Sequence, residues 1–317
     1  MTSPLLSRPG AVAAEAPDAG VAAHYGDPYR EQRRLESGDA TVDLSHRPVV
    51  RVSGPDRLTW LHSLTTQHLE SLPAGTWTEA LVLSPQGRVE HHLQLVDDGE
   101  AVWAHVEPGT GAALVEFLDR MRFMMRVEVA DVSADWAVLH SAAGDALVPR
   151  DALSSYDGEP AGVWAYEALR VAARRPRLGV DTDHRTIPNE VGWLTSAVHL
   201  DKGCYRGQET VARVHNLGRP PRRLALLHLD GSDSVLPVTG DPVTLDGREV
   251  GRVGTAVRHG ELGPLALALV KRQVPDDAEL LAGAVPARID PAPDETPVSA
   301  ARSAAAARAS LLRMPRA

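Results

Sequence analysis

The chain has 317 residues, 43% hydrophobic and 24% charged, and a formal net charge of −9. That length holds about two domains with a sizeable core, and the acidic balance argues against the broad basic footprint of general nucleic-acid binding, so no direct DNA binding is expected. No run is long and apolar enough to span a bilayer as a helix, the N-terminus makes a poor secretory signal, and the single cysteine cannot close an intramolecular disulfide, which makes a reducing cytoplasm the default compartment.

In chain order, residues 1–20 are rich in Ala, Pro and Gly without a periodic core pattern and read as a disordered lead-in. "PVVRV" (48–52) is a short strand. The stretch after it starts a helix, with Ser53 as a possible cap, Pro55 near the first helical position, and Leu58, Leu61 and Leu64 on one face. "WTEALVL" (77–83), the turn "SPQG" and "RVEHHLQLV" (88–96) form a hairpin, followed by a strand at 101–106. An amphipathic helix at 109–123 and a closing strand complete a βα-βββ-αβ order, which resembles a ferredoxin-like α+β sheet with one extra strand. "RMRFMMRVEV" (120–129) reads as a helix end and strand with its methionines in the core. A third helix at 160–174 stops at Pro176, and a long, mostly irregular stretch runs from Arg177 to about Pro221, a length that points to function. From 222 to 274 short strands with turns, including an Asp246-Gly247 hairpin, read as a small β-barrel or sandwich. The chain thus divides into a first domain at 21–220, a barrel at 221–288 and an Ala/Pro-rich disordered tail at 289–317, whose Ala/Arg portion has marginal helical character.

The cysteine stands in "DKGCYRGQETVAR" (201–213). From Lys202 to Arg223 there are six cations (Lys202, Arg206, Arg213, Arg219, Arg222 and Arg223) and one acid, Glu209. Such a cluster suits an anionic partner at short range. Neighbouring cations favour a thiolate, and Gly203 and Gly207 let backbone approach a ligand. A buried structural cysteine is the alternative. His199 and His215 are nearby candidates for a Cys/His pair, although nothing in the sequence fixes their geometry. Asp181, Asp183 and His184 have loose spacing for a metal and read better as a solvated turn. Strand alternation at 88–96 puts His91 with Val89, Leu93 and Leu95 on the apolar face, and His92 with Glu90 and Gln94 on the polar one.

"KGCYRGQETVAR" (202–213) resembles the K-G-C-Y-x-G-Q-E signature of YgfZ-type proteins, relatives of the glycine-cleavage T-protein (aminomethyltransferase). "IPNEVGW" (187–193), "GPDRLTWLHSLTTQHL" (54–69), "SPQGRV" (84–89) and "GREVGRVGTAV" (247–257) extend the resemblance over about residues 45–275. It implies an α+β folate-binding domain containing the ferredoxin-like sheet, followed by a small C-terminal β-barrel. It also implies tetrahydrofolate or a derivative in a channel between them, and a role in iron–sulfur cluster assembly or repair with an indirect effect on tRNA modification. The partners implied are a reduced folate and iron–sulfur client or assembly proteins, with transient cluster contact at Cys204. The site residues implied are Cys204 and Lys202 for the chemistry, with Trp193, Glu190, Tyr205, Arg206, Gln208, Glu209, Arg213, Arg223 and His91 around the folate. Glu190 could accept from a pterin amide or cap local backbone. His91 and His92 stand in the region where aminomethyltransferases carry paired aspartates, which counts against true aminomethyl transfer.

Overall fold

The computed structural model describes residues 2–291. Helix α1 (Pro28–Ser37) starts at Asp27, whose carboxylate accepts from the Tyr29 and Arg30 amides, and ends at Gly38 in the left-handed conformation. The βα-βββ-αβ order then appears as read. Strand Val49–Ser53 leads to α2 (Arg57–Leu64), then to strands Trp77–Leu83, Val89–Asp97 and Ala101–His105. Helix α3 (Gly111–Arg120) and strand Glu128–Asp131 close the unit. These strands make one antiparallel five-stranded sheet in the order 77–83, 89–97, 101–105, 49–53, 128–131. Trp60 and Leu61 of α2 and Leu114, Phe117 and Leu118 of α3 form one core with Val50, Val82, Leu93 and Leu95 of the sheet. Each such side chain contributes roughly 1.5–3 kcal/mol relative to exposure.

A second, four-stranded sheet was not apparent from the sequence. Its order is Gly144–Pro149, Trp136–Ser141, Thr41–Asp43, Pro160–Ala161, with the last pair parallel. Helix α4 (Val163–Ala172) follows it, and Val163 and Ala165 join Val42, Val138 and Leu35 in its core. The other face of α4 places Ala168 and Val171 against Leu226, Val257, Leu265 and Leu267 of the barrel. The barrel is closed, six strands from Arg222 to Asp290, with its first and last strands paired. Asp246 and Gly247 both take positive φ, 50° and 75°, between Leu245 and Arg248, as a two-residue hairpin turn requires.

Four expectations are corrected. Residues 2–20 are ordered: a 3-10 turn at Pro4–Ser7 buries Leu5, and the buried Ser3 hydroxyl donates to Asp43. The stretch expected to be irregular contains a helix α5 (Trp193–Ser196) and a ten-residue helix α6 (Gln208–Leu217). Residues 289–290 belong to the last barrel strand rather than a tail; residues 292–317 lie outside the described residues. Met124, expected in the core, is 97% exposed on the turn after α3, beside Phe123, which is 81% exposed and takes φ 47°.

Candidate functional site

A cavity of about 310 Å³ opens between the five-stranded sheet, the C-terminal end of α4 and the segment 191–196. One wall is aromatic. The indole of Trp193, 2% exposed, lies 4.6 Å from the His92 ring. His92 Nε2 is 3.1 Å from Glu79 Oε2 on the neighbouring strand, and Ser196 Oγ donates to the same oxygen at 2.9 Å. Burial alone would raise the Glu79 carboxyl, but His92 and Ser196 outweigh it and hold the group down at about 2.

The opposite wall is charged. Arg47, Glu107, Arg170 and Arg177 are all buried. Arg177 reaches Glu107 at 2.8 Å, Glu167 at 3.1 Å and Asp18 at 2.8 Å. Arg170 pairs with Glu167 and Asp181, and Asp181 also accepts from Thr255 of the barrel. Burial would raise the Glu107 carboxyl, but Arg47 and Arg177 bring it down to about 2. Arg177 also lines a second cavity of about 360 Å³ on the barrel side, so this ion-pair network separates the two cavities; the first is lined by residues of the first domain alone, not by the barrel. The exposed Arg175, Thr195 and Ser196 stand at the rim of the first cavity.

The cysteine loop lies elsewhere. Lys202 is buried, and its ammonium donates to the carbonyl of His62 and, at 2.5 Å, to that of Thr65, capping the C-terminal end of α2. Burial brings its pKa down to about 8. Tyr205 is buried in a core with Trp193, Leu83, Val89 and Val211, and burial raises its phenol to about 12. Between these anchors Cys204 is exposed. The alternative of a buried structural cysteine is therefore excluded, and none of residues 199–206 lines the cavity. Lys202 is committed to α2 rather than to the thiol.

Most cations of 202–223 are also committed. Arg206 pairs with Glu90 at 3.0 Å and lies over the Phe117 ring. Arg222 holds Asp183 and Glu190, and Arg223 holds Asp276 and the Val274 carbonyl. Arg213 is exposed on α6 and has no side-chain hydrogen-bond partner among the described residues. Glu209 is exposed in the first turn of α6, and Gln208 reaches the Lys202 carbonyl at 3.4 Å. Glu190 is buried: it meets Arg222, and its Oε2 accepts from the Ile187 amide, so it caps local backbone. Asp181 and Asp183 are held by arginines rather than a metal. Of the folate residues suggested by the sequence, only Trp193 lines the cavity.

His91 is the other displaced candidate. A bulge at Glu90 pairs Val82 with His91 and Leu83 with Val89. Val89 therefore changes sides and joins Leu83, while His91 keeps to the side of Val82, with its ring 6.3 Å from Phe117. Burial lowers its imidazole to about 4. His92 lines the cavity instead. What joins the hairpin turn to the cysteine segment is backbone. A Cβ on Gly207, at φ 82°, would come within 2.5 Å of the Ser84 carbonyl oxygen, and one on Gly87 within 2.7 Å of Thr210.

The structure of the glycine cleavage system aminomethyltransferase T from Bartonella henselae superposes on this one with a TM-score of 0.78, at 17% identity, covering 92% of this chain and 97% of that one. The chain has the aminomethyltransferase fold. Its residues 222–304 match the family described as CAF17, C-terminal beta-barrel domain. A chloroplastic protein of Arabidopsis thaliana named as a transferase is 26% identical over 294 aligned positions, covering 75% of this chain and 67% of that one. The mitochondrial iron-sulfur cluster assembly factor IBA57 homolog of Mycosarcoma maydis is 26% identical, over 58% of this chain and 56% of that protein. An aminomethyltransferase of Rubrobacter xylanophilus is 25% identical, over 83% and 85%.

Within this aminomethyltransferase fold, the cavity residues that sequence reading missed are Arg47, Glu79, His105, Glu107, Arg170 and Arg177. The available signal was charge inside apolar runs. Glu79 interrupts "WTEALVL", and His105 and Glu107 end "AVWAHVE". A charge in such a position is either paired or functional.

Proposed function

We propose that the chain is a tetrahydrofolate-binding accessory protein of iron–sulfur cluster assembly or repair, of the YgfZ type, with effects on tRNA modification that follow indirectly from cluster-dependent enzymes. The observation that carries the folate half is the cavity. Its volume of about 310 Å³ lies at the lower end of ligand-pocket sizes. Trp193 and His92 give it a wall on which a flat ring stacks. Arg175 at its rim suits a carboxylate tail. These features fit a reduced pteroylglutamate.

Tetrahydrofolate, when bound, supplies a reduced pterin able to carry one-carbon units. The protein's part is to hold it: Glu79 orients His92, the ion-paired arginines keep the inner wall rigid, and Trp193 excludes water from one face. The iron–sulfur half is supported by the CAF17 barrel match and by the relative named as a cluster assembly factor. Cys204 offers an exposed thiol for a client protein or a cluster in transit.

Isothermal titration with tetrahydrofolate tests the first half; absence of heat at protein concentrations on the order of tens of micromolar overturns it. The second half is tested with Cys204→Ser in a deletion strain, reading the activity of a cluster-dependent enzyme. Loss of rescue supports a role for the thiol, and full rescue removes it. A second reading, folate-dependent aminomethyl transfer, is favoured by the Glu79–His92 pair, since a carboxylate-held imidazole can take a proton. Release of 5,10-methylenetetrahydrofolate from an aminomethyl donor decides for it.

A further inference from the structure

Several histidines of the first domain are held by carboxylates: His46 by Asp18, His92 by Glu79, and both His105 and His140 by Asp145. A group at the end of α2 differs. His62 lies in the last turn of that helix, and His68 and Glu70 follow on the connection to strand Trp77–Leu83. One nitrogen of each ring and one Glu70 oxygen all lie within 4.8 Å of one another. The His62 and His68 ring centroids are 4.8 Å apart, edge to face, and the His199 ring lies 5.3 Å from that of His68. The side chains of His68 and Glu70 have no hydrogen-bond or ion-pair partner among the described residues. Backbone contacts fix the arrangement. Leu69, between His68 and Glu70, is fully buried, and its amide donates to His62 Nδ1 at 3.2 Å. The His199 amide donates to the Thr66 carbonyl at 2.9 Å, and the Lys202 ammonium donates to the His62 and Thr65 carbonyls. The group therefore sits at the root of the cysteine loop.

Two imidazoles and a carboxylate make a donor set that suits borderline divalent transition metals, whereas magnesium and calcium favour all-oxygen shells. Zinc ligands stand about 2.0–2.2 Å from the ion, so in a tetrahedron they lie about 3.4 Å apart. Side-chain rotation closes the difference, since Glu70 is exposed and both rings are half-buried. A neutral imidazole has one lone pair. An ion on His62 therefore replaces the Leu69 contact, which at 3.2 Å is at the long end for such a bond. Burial lowers the pKa of both His62 and Lys202, and the Glu70 carboxylate opposes this in both, so its negative field covers the group and offsets the nearby ammonium. We propose that His62, His68 and Glu70 bind one borderline divalent transition-metal ion, three protein ligands leaving an exchangeable fourth position. The site is independent of the folate reading, because none of the three residues lines either cavity.

The test is calorimetric titration of the full chain with zinc chloride near neutral pH, with magnesium chloride as the contrast. The wild type is expected to take up about one zinc ion per chain with a Kd on the order of micromolar or tighter, and no magnesium at the same concentrations. His68→Ala and Glu70→Gln are each expected to weaken zinc binding by at least about tenfold. His215→Ala, which removes an exposed histidine on α6, and Cys204→Ser, which removes the thiol, are expected to stay within about threefold of the wild type. Zinc should also raise the melting temperature of the wild type and not that of His68→Ala, since only a bound ion stabilises the folded chain. Melting without metal confirms that the variants fold, and Glu70→Gln at an exposed position decides the matter if His68→Ala does not. Absence of zinc binding overturns the proposal. So does unchanged zinc binding in folded His68→Ala and Glu70→Gln, which would mean adventitious binding to other surface histidines. Loss of zinc binding in Cys204→Ser also overturns it, by placing the ion on the thiol instead.

Discussion

Arg222 meets Glu190 fork to fork, with Nε–Oε1 and Nη2–Oε2 both at 2.8 Å. The same guanidinium reaches Asp183 at 2.6 Å, so one arginine on the first barrel strand fastens both ends of the 183–190 segment. Arg222→Met leaves two carboxylates without their cation, and one of them, Glu190, is only 4% exposed. The expected cost is about 2–3 kcal/mol in urea-induced unfolding, with Arg222→Lys in between, because lysine restores charge without the fork. An unchanged midpoint in Arg222→Met contradicts this role.

His91 sets part of the acid sensitivity. Burial holds its imidazole at about 4, below the ordinary 6.5, so the folded chain keeps it neutral. Between pH 6.5 and 4 the unfolded chain takes up a proton that the folded chain refuses. Stability is therefore lost as pH falls through that window, by up to about 3 kcal/mol. His91→Leu should flatten this limb, since Nδ1 of His91 has no partner to lose. Glu79 and Glu107, both held at about 2, act in a separate window: the stability they contribute is lost as pH falls from about 4.5 to 2, and this lower limb should persist in the variant. Urea midpoints at half-unit pH steps measure both.

The two glycines of the cysteine loop are not equivalent. Gly207 has φ 82° and backbone against its Cα; Gly203 has open space and no positive φ. Gly207→Ala is expected to cost about 2 kcal/mol or more, and Gly203→Ala less than about 0.5 kcal/mol. Equal midpoints for the two would show that the contact of residues 84–87 with 207–210 does not constrain the loop.

Cys204 should react with iodoacetamide in the native protein, one label per chain without denaturant, since its side chain is exposed. Lys202→Met should lower stability by about 1–3 kcal/mol, by leaving the last carbonyls of α2 unmet. The thiol should still be accessible in the folded variant. Labelling that requires unfolding contradicts the loop geometry. Mass spectrometry of intact protein reads the result.

Much of the fold was legible because strand and helix periods are local. Leu93 and Leu95 against Glu90 and Gln94, or Leu114, Phe117 and Leu118 along α3, announce their elements, and Asp246-Gly247 announces its turn. The second sheet was not legible, because it gathers strands as short as Pro160–Ala161 from distant parts of the chain. The bulge at Glu90 was invisible, since one extra residue leaves the alternation on either side intact. The site was legible only in part. Trp193 and Cys204 stood out, yet Arg206, Arg222 and Arg223 read as an open cationic field because their acids, Glu90, Asp183, Glu190 and Asp276, lie 32 to 116 residues away. Conversely, Arg47, Glu107 and Arg177 went unremarked in the sequence and are buried together.

A crystal structure of the chain grown with tetrahydrofolate tests the folate site most directly. The expected result is a pterin ring against Trp193 and His92, with the carboxylate tail toward Arg175 at the rim. A folate bound elsewhere on the molecule, or no bound folate at saturating concentration, would contradict it.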